Sequence, residues 1–144
     1  MTTDPDRGAG HWFPRMVALA AAVIFLGFGL WAMVAPRAFF DAIAVFEPYN
    51  QHFIQDIGAF QIGIGAVLGL AWATGGGDAI AVGSVGAGIG SIAHGASHIL
   101  GADLGGNPGV DIPMFLILGV TLVFGGAWRW RERSPADRAR STGR

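Results

Sequence analysis

The chain is predicted to be all-α: an integral membrane four-helix bundle, antiparallel up-down-up-down, with both termini cytoplasmic. Three observations carry that expectation. Four apolar stretches each reach the roughly 20 residues that a helix needs to cross a bilayer. The 144 residues are 52% hydrophobic and only 13% charged, with a mean hydropathy of +0.49, a balance that strains a soluble globular reading. The charges are also segregated: lysine is absent, and eight of the nine arginines fall outside the first or last apolar stretch.

The first predicted span covers residues 15–34, opened by Pro14 and closed by Pro36, positions that proline favours at a helix start and just beyond an end. A cleaved signal peptide is the competing reading. It is disfavoured by the length of the apolar run and by the lack of an A-x-A site near Val34. The second span covers residues 50–74, after Pro48 and before Gly75, Gly76 and Gly77. The third starts at Asp78, a natural N-cap, and runs to Leu100 and Gly101. The fourth covers residues 111–128, with Pro113 in its first turn. The domain plan is therefore a cytoplasmic tail (1–14), a transmembrane domain (15–128) and an arginine-rich cytoplasmic tail (129–144).

Orientation follows from the arginines. Arg7 precedes the first span and Arg15 opens it, six arginines follow the fourth, and only Arg37 lies on the opposite side. That bias places both termini, and the turn at Gly75, in the cytoplasm. Trp12, Trp72, Trp128 and Trp130 then mark the inner interface and Trp31 the outer one. In the outer connection, residues 38–46 set Phe39, Ile43 and Phe46 at helical spacing, as in a short helix lying on the leaflet. Topology alone accounts for the arginines of the tail, which suit anionic headgroups better than nucleic acid. The expected partners are the lipid bilayer of the cell membrane and a membrane-protein partner or a second copy of the chain.

Cysteine is absent, which removes disulfides, iron–sulfur clusters and thiolate chemistry. The ionisable residues inside the spans are His52 and Asp56 in the second and His94 and His98 in the third; His11 lies in the N-terminal tail and is expected to be solvated. Each pair is spaced i,i+4 and so shares a helix face. The sums 52 with 98 and 56 with 94 are equal, as facing antiparallel helices require. Ser84 and Ser91 extend the histidine stripe, while Gln55 accompanies the first pair.

Charge at membrane depth is costly and usually faces protein. Three readings stay open for His52, Asp56, His94 and His98. They form an interhelical hydrogen-bond network; or they ligate Zn, Cu or Fe, with Asp103 or Asp111 behind them; or they serve haem ligation or acid–base chemistry on a lipid, quinone or sterol-like substrate. The run from Gly83 to Gly90 resembles a phosphate loop only as a pattern, since no strand precedes it and helix packing explains it. No internal repeat stands out in the sequence.

The segments Asn50-Gln51-His52-Phe53-Ile54-Gln55-Asp56-Ile57-Gly58-Ala59-Phe60-Gln61, Ala93-His94-Gly95-Ala96-Ser97-His98 and Asp103-Leu104-Gly105-Gly106 resemble those of small four-helix DoxX-like membrane proteins of actinobacterial type. The resemblance covers residues 15–130 in layout. It implies a four-helix bundle with His52, Asp56, His94, His98 and Asp103 near one another, and it attaches no activity to them.

Overall fold

The computed structural model describes residues 12–132, which form five helices. They are α1 (Trp12–Val34), α2 (Pro36–Ala42), α3 (Gln51–Thr74), α4 (Gly77–Leu100) and α5 (Pro108–Arg131). Among the described residues there is no strand. The four long helices are each long and apolar enough to cross a membrane, the mark of a multi-pass membrane protein. Arg7, His11 and the tail arginines from Arg133 onward lie outside the described residues.

Helix ends follow local chemistry. Asn50 caps α3 by accepting from the Phe53 amide at 3.1 Å, and Gly75 closes the helix at φ +67°, a left-handed conformation that glycine adopts without strain. The last helix is longer than its sequence pattern predicts. It starts at Pro108 rather than Asp111 because proline at the first helical position needs no amide partner.

The helices associate as two pairs, α1 with α3 and α4 with α5. In the first pair, Gly29 and Gly58 meet backbone to backbone: a Cβ built on either would lie 2.8 Å from the other's carbonyl oxygen. Gly65 meets Ala22 and Leu26 further along. In the second pair, Gly88 and Gly119 meet in the same way at 2.7 and 2.8 Å, and Gly126 meets Ala81 and Val85. In both seams the contact numbers rise on one helix as they fall on the other. Small residues at seven-residue spacing bring the backbones close enough for dispersion and weak C–H···O contacts, the main association forces available in lipid.

The two seams are copies. Residues 22, 26 and 29 of α1 correspond to 81, 85 and 88 of α4, an offset of 59; residues 58, 62 and 65 of α3 correspond to 119, 123 and 126 of α5, an offset of 61. The lighter contacts obey the same exchange. α1 touches α5 as α3 touches α4, α1 also touches α4, and the backbones of α3 and α5 stay apart. The structure thus contains a repeated helical pair that side-chain identity conceals. What repeats is the position of small residues, and these are abundant throughout the chain.

The pairs join around Ala21, Ala22, Leu68 and Leu122, with Ala87 and Leu118 packed against them. α2 is shorter than the expected interfacial helix: it ends at Ala42. Phe39 and Phe40 are buried with Ala32 and Ile54, which draws α2 down onto α1 and α3. The following segment leaves the helix and crosses to the other pair, where the Gly106 amide donates to the Val45 carbonyl at 2.9 Å. At the opposite end, Arg15 donates to the Trp72 carbonyl at 3.2 Å, and Phe13 packs edge-on to Phe124. The Arg129 guanidinium lies directly against Gly77. Arg15, Trp72, Trp128 and Arg129 therefore share one end.

Candidate functional site

The four residues singled out from sequence separate into two places. On α3, His52 Nε2 lies 3.6 Å from Asp56 Oδ2, and these side chains are 87% and 53% exposed. Gln55, beside them, turns the other way and donates to the Met33 carbonyl of α1 at 3.3 Å. On α4, the rings of His94 and His98 stack at 5.0 Å, and His94 stacks on Phe115 of α5 at 4.0 Å.

Among the described residues His52 pairs with Asp56 along α3 and His94 stacks on His98 along α4. α4 spends its close face on α5 rather than on α3. Where α3 and α4 do approach, a Cβ on Gly83 would lie 3.6 Å from both Leu68 and Val67, so the facing register is close to that implied by the equal sums. His52 and His98 are level in that register, yet His52 points outward instead of across. Among the described residues no three His, Asp or Glu side chains group closely enough to hold a metal ion.

The residue that the second place recruits is Asp111. Its Oδ2 lies 3.8 Å from His98 Nδ1, with the two side chains 12% and 10% exposed. The same oxygen accepts from the Asn107 amide at 2.8 Å. Asp111 thus reaches back to the N-cap of its own helix, as the acid of a capping box does, while facing a histidine of the neighbouring helix. Phe46, arriving from the α2–α3 connection, sets its ring edge against His98 at 5.7 Å. Gly106, at φ +75°, leaves room for Phe46 and Asp111 together. Asp103 is exposed in the loop and takes no part in this contact.

This second place is a clasp. It joins α4 to α5 through His98 and Asp111, and it ties the α2–α3 connection to that pair through Phe46. A spacing cue for Asp111 did exist, an acid four residues after Asn107, but no sequence rule paired it with His98. Below the clasp, Ser91 is buried and donates to the Ala87 carbonyl at 2.9 Å, whereas the buried Ser84 hydroxyl has no partner among the described residues.

Beside the first place, Arg37 of α2 pairs with Asp41 at 2.9 Å and lies over Tyr49 and Phe40. The Asp41 carboxylate, by hydrogen bond and by charge, holds the Arg37 pKa above its usual value.

The exposed face of α3 carries His52, Asp56, Phe60, Gly63, Val67 and Leu70 in sequence. Asp56 stands about 7 Å inside the helix start by the rise per residue. No family model, curated protein or solved structure matches the chain.

Proposed function

We propose that this is a small multi-pass assembly module of the cell membrane, laid out like the DoxX-like bundles. It is an up-down-up-down bundle with both termini cytoplasmic, and it binds a second membrane protein through the outward face of α3. The supporting observation is the exposed His52–Asp56 pair. An ionisable pair below the helix start is expensive against hydrocarbon, and such groups normally face protein or water. The clasp, by contrast, already uses its ionisable groups within the chain.

A second copy of the same chain is the partner that this face fits. Across a two-fold axis along the membrane normal, His52 of one copy meets Asp56 of the other, and the reverse contact forms at the same time. This is the self-complementarity that a closed dimer needs. Opposed runs of Phe60, Gly63 and Val67 would allow the two helices to approach beneath it. The orientation is supported by Arg15 and Arg129 lying at one end and Arg37 in the connection at the other.

The test is mass in mild detergent or native membranes. The chain is expected to run as a dimer, Asp56→Ala to run as a monomer with unchanged helicity, and a monomeric wild type would overturn the proposal.

The buried His98–Asp111 contact favours one alternative, acid–base chemistry on a lipid-soluble substrate such as a quinone, with His94 beside it. Quinone turnover abolished by His98→Ala in folded protein would support that reading over assembly.

A further inference from the structure

We propose that the groove between α4 and α5, at the end that carries Arg129 and Arg131, binds an anionic phospholipid: an acyl chain along Val82, Val85, Gly86 and Ala127, and the phosphate at Arg131. The groove has a volume of about 600 Å³ and is walled by those four residues together with Trp130 and Arg131. Its size is that of ordinary ligand pockets. The walls are apolar along most of their length and end in a cation and an indole at the helix terminus, where the headgroup layer lies. An arginine there offers paired N–H donors to a phosphate.

The repeated helical pair supplies an internal comparison. With the offsets of 59 and 61, Val82, Val85, Gly86 and Ala127 correspond to Val23, Leu26, Gly27 and Ala66. Gly27 and Gly86 both face open space, so an open apolar wall is common to the two pairs. Trp130 and Arg131 correspond to Gly69 and Leu70. At these wall positions only the α4–α5 copy carries a cation; Arg15, at the same end of the α1–α3 pair, is drawn onto the Trp72 carbonyl. Arg129, two residues earlier, is instead turned toward Glu132 at 3.5 Å and against Gly77, which leaves Arg131 as the cation at the groove mouth. The shared wall fits any acyl chain, and Arg131 confers the preference for an anionic headgroup.

The experiment uses the full chain purified in mild detergent, offered phosphatidylglycerol or phosphatidylcholine of identical acyl chains and read by native mass spectrometry. Phosphatidylglycerol is expected to be retained about fivefold over phosphatidylcholine, the effect of one arginine at an anionic surface. Arg131→Gln, a change at an exposed position, should bring the ratio to about one with helicity intact, and Arg131→Lys should keep most of it. Arg140→Gln, which removes the same charge from the tail, should leave the ratio unchanged. Gly86→Leu, by filling the wall, should lower retention of both lipids. Equal retention of the two lipids by the wild type, equal effects of Arg131→Gln and Arg140→Gln, or a lipid-free dimer that closes the groove would each overturn the proposal. These outcomes are independent of the α3 face, because none of the substitutions touches it.

Discussion

Gly88→Ala is expected to weaken the bundle, whereas the same substitution two residues away should not. A Cβ at position 88 would stand 2.7 Å from the Gly119 carbonyl oxygen and 2.8 Å from both the Val123 amide and its side chain. Ordinary contact begins near 3.4 Å, so α4 and α5 would have to part by about 0.7 Å. The obstacle is backbone and cannot rotate away. A gap of that size forfeits a quarter to a half of each contact along the seam, and overpacking of this kind costs about 1–3 kcal/mol. Alanine's helix propensity returns up to about 1 kcal/mol, which leaves a net loss of up to about 2 kcal/mol. Gly86→Ala meets nothing within 4 Å and retains only the propensity gain. The assay is unfolding by denaturing detergent in mixed micelles, followed by helicity. Because the seams are copies, Gly29→Ala should behave like Gly88→Ala, and Gly27→Ala like Gly86→Ala. Equal stabilities for Gly88→Ala and Gly86→Ala would refute the seam argument.

The clasp and the core give further expectations under the same assay. Asp111→Ala removes both the acceptor for the Asn107 amide and the partner of His98, and should cost about 1–3 kcal/mol; Asp111→Asn keeps an acceptor and should cost less than half as much. Ser84→Ala removes a buried hydroxyl that has no partner among the described residues, so stability should hold or rise; a loss above about 1 kcal/mol would reveal a bond that the structure does not contain. Phe46→Ala should release the tie between the α2–α3 connection and His98. Faster amide exchange at Gly106 would report it, and unchanged exchange would count against the clasp.

The membrane spans were legible because length and apolarity are bulk properties of a segment, and four such segments leave few alternatives. Asn50 and Gly75 were readable as boundaries for the same local reason. Pairing was not legible. The equal sums of 52 with 98 and 56 with 94 describe register, which the Gly83 approach to Leu68 broadly respects, but register does not state which face is turned inward. That choice is made by Gly29, Gly58, Gly88 and Gly119, whose roles cannot be told from those of Gly27, Gly63, Gly86 and Gly90 by residue type. The repeat stayed hidden for a related reason. It is written in where side chains are missing, and Gly88 matched to Gly29 carries no signal in a chain with 24 glycines. Asp111 was visible as a helix-start acid, yet its meeting with His98 depends on α4 choosing α5.

The assembly reading rests on the outward face of α3, and the absence of cysteine makes that face directly accessible to cross-linking. A single Phe60→Cys substitution, oxidised in native membranes, places one thiol at the centre of the exposed stripe, one helical turn from Asp56. A disulfide-linked dimer is expected from Phe60→Cys and is lost when Asp56→Ala is added, and none is expected from Val120→Cys on the exposed side of α5. Phe60→Cys that stays monomeric under oxidation, or cross-links no more than Val120→Cys, would contradict it.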